Sequence, residues 1–164
     1  MRTALPALLF LAACEQAAAP PAPPAGEQAM PAHEVFVSGL VVRLNPVPGR
    51  PAAAYFTLAV PANDLRLTGV SSPNASRVEL HETVAEGGMA RMVPLDPATL
   101  DLRRPAAFAP GGKHAMLYDV SGLRPGGDVA LLFTFTPVEG GPPVRVPATG
   151  TVQAAGGAMG HMDH

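Results

Sequence analysis

The sequence predicts an all-β domain, an antiparallel sandwich or barrel, on three observations. Its apolar stretches are short and strand-like, Pro- and Gly-rich turn signals separate them, and no long window carries helical periodicity. Seven strands follow in order. The first two, 34–44 and 53–60, flank a turn-forming run at 46–51, and Pro61-Ala62-Asn63-Asp64 then leads into a third at 65–71. Ser72-Pro73-Asn74 precedes the fourth at 77–82, and the fifth occupies 113–120. Arg124-Pro125-Gly126-Gly127 introduces the sixth at 128–136, and 144–152 completes the set. Alternation assigns the core: Val129, Leu131, Phe133 and Phe135 share one face of the sixth strand and Thr134 and Thr136 the other. Tyr55, Leu58, Val60, Val78, Leu80, Leu117 and Val144 are expected to join them. With no Trp, two Tyr and six Phe, that core is mostly aliphatic.

The chain divides into four parts. Arg2 precedes a short apolar run at 4–13, well below the roughly 20 residues a spanning helix needs, so residues 1–13 read as a targeting segment. Leu11-Ala12-Ala13-Cys14 looks like a bacterial lipobox, in which Cys14 is acylated and becomes the first mature residue. The expectation is an extracytoplasmic protein held to a membrane by that lipid anchor. Residues 14–32 are rich in Ala and Pro, with Pro20, Pro21, Pro23, Pro24 and Pro31, and predict an extended tether reaching about 50 Å at most. The β domain at 33–153 suffices for one core, and 154–164 form a Gly-, Met- and His-rich tail. Because Cys14 is the single cysteine, no intramolecular disulfide forms and a two-cysteine redox mechanism is excluded.

His81, Met92, His114 and Met116 carry the chemistry. They read as His, ten residues, Met, twenty-one residues, His, one residue, Met. Two imidazoles and two thioethers, with no thiolate or carboxylate, suit a soft ion such as Cu(I). Thioethers bind it without forming disulfides and stay neutral at all pH values. In an extended strand His114 and Met116 point to one face. In the fourth strand Val78 and Leu80 point inward and His81 outward, and Gly87-Gly88 permits a tight reversal that returns Met92 toward it. A carboxylate or a carbonyl is expected to orient the second nitrogen of each imidazole, with Glu79, Glu82 and Asp119 the nearest candidates in sequence. Met89 stands close enough to Met92 to replace it after a small loop shift.

These residues resemble the periplasmic copper chaperones with a PCu(A)C domain. The resemblance covers about residues 33–153 and rests on the four spaced donors, on the run from Gly87-Gly88 to Arg91-Met92, and on Pro110-Gly111-Gly112-Lys113-His114-Ala115-Met116. It implies a cupredoxin-like antiparallel β-sandwich, or Greek-key barrel, that binds Cu(I) at an exposed rim through His81, Met92, His114 and Met116. It further implies transfer of the ion to a protein recipient, such as a cytochrome oxidase subunit or a Sco-type assembly factor. Two departures stand out. Leu40-Val41-Val42-Arg43 lacks the aromatic residue that many relatives place before that Arg, and Thr83 and Ala85 stand where relatives carry further Met.

The tail repeats the donor chemistry: Met159, His161, Met162 and His164 surround Asp163. Such a segment suits Cu(I) through sulfur or Cu(II) through nitrogen and oxygen, as a collecting arm. Charge excludes more than it assigns. Eleven Lys and Arg, less Arg2, oppose thirteen Asp and Glu in the mature chain, about −3, which disfavours nucleic acid as a partner. No phosphate loop, nucleophile motif or readable carboxylate pair is present, so an enzyme is not expected. Two other readings accommodate the same residues: a copper-buffering lipoprotein without a dedicated recipient, and a structural β-sandwich in which the donors are incidental.

Overall fold

The computed structural model describes residues 34–156. Among them, nine strands run in chain order: β1 Phe36–Arg43, β2 Ala52–Ala59, β3 Leu65–Ser71, β4 Arg77–Glu86, β5 Met89–Pro94, β6 Ala106–Phe108, β7 Lys113–Tyr118, β8 Asp128–Pro137 and β9 Val144–Gln153. A single 3-10 turn, Pro97–Thr99, is capped by the Asp96 carboxylate, which accepts from the Ala98 amide at 2.9 Å. No helix among the described residues is long and apolar enough to cross a membrane.

The strands hydrogen-bond in the order β3-β8-β9-β1-β2-β6-β7-β4-β5, with β2 also pairing β7. Pairing is antiparallel except between β1 and β9 and at the single β6–β7 bridge. This sheet folds over on itself. Phe56 of β2 meets Phe133 of β8 edge-on with centroids 5.0 Å apart, although two strands lie between them in the sheet order. A flat sheet at about 4.8 Å per strand would hold them roughly 14 Å apart. Phe108 stacks on Phe56 from the neighbouring strand at 4.4 Å, so one core fills the space between the two layers. The molecule is the expected β-sandwich.

Alternation predicts the core well. Val129, Leu131, Phe133 and Phe135 are all buried, as are Leu58, Val60, Leu80 and Leu117, while Val78 and Val144 pack half-buried at the margin. Each fully buried large side chain contributes about 1.5–3 kcal/mol. Tyr55 departs from expectation. In β2 the inward set is Ala52, Ala54, Phe56 and Leu58, so Tyr55 has the opposite parity and lies on the outer face.

β1 and β9 pack unusually closely at one point. Between Ser38 and Val41 the β1–β2 register slips, and Gly39 adopts φ +63°, the signature of a bulge that a residue with a Cβ would resist. The bulge presses Leu40 against Gly150, where an added Cβ would stand 2.7 Å from the Leu40 carbonyl carbon and nearer still to its oxygen.

Candidate metal centre

Pairing register brings the four candidate donors to one face before any side chain is considered. His81 of β4 lies directly opposite His114 of β7, Glu79 opposite Met116, and Thr83 opposite Met92 of β5. Directly paired residues project to the same side, as do residues i and i+2. His81, Met92, His114 and Met116 therefore share the outer face of β5-β4-β7, with Leu80, Ala115 and Leu117 on the core side. Two turns fix this register. Glu86 and Met89 close a two-residue hairpin over Gly87 and Gly88, both at positive φ. Ahead of β7, the Gly112 amide donates to the Ala109 carbonyl at 3.0 Å across Pro110 and Gly111, the latter at φ +80°. Pro followed by a positive-φ Gly suits a type II turn.

The turn also sets His114. Its Nδ1 lies 2.9 Å from the Gly112 carbonyl oxygen, which can only accept, so Nδ1 carries the proton and Nε2 keeps a lone pair. That Nε2 stands 3.2 Å from the Met92 sulfur. His114 is 7% exposed, Met92 55%. Met92, His114 and Met116 line one open cavity of about 280 Å³ together with Ala53, Tyr55, Thr83 and Asn45. The His81 ring lies nearly parallel to that of His114 at 6.1 Å between centroids. Its Nε2 faces Glu79 Oε2 at 3.2 Å, and its Nδ1 is buried with no hydrogen-bond partner.

Of the three carboxylates expected to orient imidazoles, Glu79 alone does so. Its carboxyl is held below the usual carboxylate range, first by the His81 hydrogen bond and then by Tyr118 and Arg77. Glu82 instead accepts from Lys113 Nζ at 3.0 Å, and Asp119 from the Ser76 hydroxyl at 2.7 Å. For His114 the orienting group is a main-chain carbonyl, one of the two kinds of group expected, and the structure locates it at Gly112; the Pro-Gly-Gly run before His114 is the sequence signal for it. Tyr55 was missed, although it shares parity with Ala53. Met89 cannot stand in for Met92 by a small shift. It lies three residues away with the opposite parity, at the hairpin tip.

Among the described residues, no group of three or more His, Cys, Asp or Glu is arranged to hold a metal ion. Cys14 and the tail residues Met159, His161, Met162 and His164 lie outside the described residues.

Comparisons with known proteins bear on the whole domain. The family model described as "Putative lipoprotein LpqE-like" matches residues 35–148. Uncharacterized protein RP573 of Rickettsia prowazekii (strain Madrid E) is 33% identical over 87 residues, 51% of this chain and 48% of that protein. The chain thus spans about half the length of the curated relative it matches. Among solved structures, the copper-bound PCuAC domain from PmoF2 superposes with a TM-score of 0.50 at 25% identity, covering 73% of this chain and 92% of that one. Apo-DR1885 from Deinococcus radiodurans is 32% identical, with a TM-score of 0.49 and coverage of 94% and 97%.

Proposed function

We propose, from the premise that this chain belongs to the LpqE-like family, that it is an extracytoplasmic copper chaperone. In this reading it binds Cu(I) through His81, Met92, His114 and Met116 and passes the ion to a protein recipient. One observation carries the proposal: His114 Nε2 and the Met92 sulfur face each other at 3.2 Å, and in the neutral ring, whose one N–H is directed at the Gly112 carbonyl, neither has a hydrogen to give the other. Two lone-pair donors at that separation repel, and a cation between them turns the repulsion into two bonds. With bonds of about 2.0 Å to nitrogen and about 2.3 Å to sulfur, as in tetrahedral zinc sites, the angle at the ion would be roughly 95°. A d10 ion, lacking a ligand-field preference, accepts that angle. Neutral nitrogen and sulfur without thiolate or carboxylate favour Cu(I) over harder divalent ions. The copper-bound PCuAC domain from PmoF2 supports the same choice.

Graded exposure supports transfer rather than storage. His114 is anchored at 7% exposure while Met92, at 55%, sits on the terminal strand of the sheet. The thioether can leave as a recipient's ligand enters, so the ion is never bare. For the recipient we propose an apo copper-centre protein of cytochrome oxidase assembly, a subunit or a Sco-type factor. The family description supports a lipid anchor at Cys14, which would hold this exchange at a membrane surface. Met159, His161, Met162 and His164 would act as a collecting arm for Cu(I) or Cu(II).

The test combines a Cu(I) competition titration with a mixing experiment, in which the copper-loaded chain is added to an apo oxidase-subunit fragment and the metal is followed. Tight binding of at least one Cu(I) per chain and net movement of copper are expected. No binding ends the copper reading; binding without movement leaves a buffering protein. Removing residues 156–164 is expected to lower copper stoichiometry or uptake rate, and an unchanged titration removes the collecting arm.

A further inference from the structure

Beside the donors, the outer face of β4 and β7 carries a second, connected set of side chains. The pairing gives three successive rungs: Arg77 opposite Tyr118, Glu79 opposite Met116, and His81 opposite His114. Along β4 the three outward residues touch in sequence. Arg77 Nε meets Glu79 Oε1 at 2.7 Å, and Glu79 Oε2 meets His81 Nε2 at 3.2 Å. At the far end the Arg77 guanidinium lies 3.9 Å over the Tyr118 ring, which holds the guanidinium in place beside Glu79. The carboxylate is thus restrained on one oxygen and presents the other to the imidazole.

A carboxylate can only accept. Nε2 of His81 must therefore carry the hydrogen, and Nδ1 keeps the lone pair. That nitrogen is buried with no partner among the described residues, a state that costs free energy unless something is to bind there. His114 is set the other way round, with Nδ1 committed to Gly112 and Nε2 free.

We infer that Glu79, steadied by Arg77 and Tyr118, is a positioning residue that fixes the His81 tautomer, so that the centre binds Cu(I) through Nδ1 of His81 and Nε2 of His114. The inference rests on the copper reading above and specifies its donor atoms. Unlike nitrogens follow from unlike partners: a side-chain carboxylate two residues back on β4 for His81, and a main-chain carbonyl two residues back in the turn before β7 for His114. Glu79 acts through the imidazole and does not touch the ion.

Cu(I) is diamagnetic, so long-range 1H–15N correlation spectra of the 15N-labelled full-length chain read both states. In the apo chain the His81 proton is expected on Nε2 and the His114 proton on Nδ1. On Cu(I) addition the large 15N shifts should fall on Nδ1 of His81 and Nε2 of His114. Glu79→Ala should mix the His81 tautomers and weaken Cu(I) binding roughly 10–100-fold. Glu79→Gln keeps an acceptor oxygen and should restore most of the affinity and the tautomer, which a merely structural role would not produce. A proton on Nδ1 of His81 in the apo chain, or a copper-induced shift on its Nε2, overturns the inference and leaves the chaperone reading intact. A chain that takes up no Cu(I) overturns both.

Discussion

Replacing Met92 by leucine removes one sulfur and little else. The side chain is 55% exposed on the edge strand β5 and stands outside the hydrophobic core, so fold stability should change by no more than about 0.5 kcal/mol. Its sulfur, however, lies 3.2 Å from His114 Nε2 and is proposed to bind copper directly. Losing a group that only supports a ligand costs 10–100-fold in metal affinity, so losing a donor itself should reach the upper end, about 100-fold or about 2.7 kcal/mol. Met89→Leu is the matched control. Met89 is 74% exposed three residues away on the same strand, but its parity turns it from the site, and its loss should leave affinity unchanged. The assay is anaerobic competition against a chromophoric Cu(I) chelator, run beside thermal melts of the apo chains. If Met92→Leu binds Cu(I) as tightly as the parent, or if Met89→Leu weakens binding equally, the register argument for the centre is wrong.

Three further outcomes follow from other features. Gly150→Ala forces a Cβ into the Leu40 backbone and should cost about 1–3 kcal/mol as an overpacked contact, read as a Tm several degrees lower; an unchanged Tm would mean that the β1 bulge yields freely. Hydrogen bonds from Arg103 hold the Asp101 carboxyl at about 2 rather than 3.8. Its contribution to stability is therefore complete above the unfolded value and is lost as pH falls through about 2. Arg103→Ala should return the Asp101 titration toward 3.8, followed by NMR. Protons compete with copper for imidazole nitrogen but not for thioether sulfur, so Cu(I) affinity should fall between about pH 8 and about pH 5. A flat profile would remove His81 and His114 from the donor set.

Legibility in the sequence tracks how strongly one face of a strand is buried. β8 was readable because Val129, Leu131, Phe133 and Phe135 all enter the core while the residues between them do not. β5 escaped because it is an edge strand whose residues are nearly all exposed, so no alternation marks it, and β6 escaped because three residues, Ala106–Phe108, carry no period. Tyr55 was misassigned because large apolar character outweighed parity; small Ala52 and Ala54 hold the inward positions instead. At the site, the i, i+2 spacing of His114 and Met116 and the Gly87-Gly88 reversal were enough to expect a shared face. The partners that set the imidazoles were only half legible. Glu79 was one candidate among three, and a main-chain carbonyl such as that of Gly112 leaves no mark in the residue alphabet.

Placing the proposed donors on the outer face of β4 and β7, with Ala115 and Leu117 sealing the hydrophobic side at 0% exposure, would separate cargo from architecture. Small zinc domains collapse when stripped because the ion itself organises the chain. Here the aromatic and aliphatic interior is complete without it. On the proposed copper reading, the empty and the loaded chain would thus be the same folded object, and handing over an ion would demand no unfolding before the next round of collection.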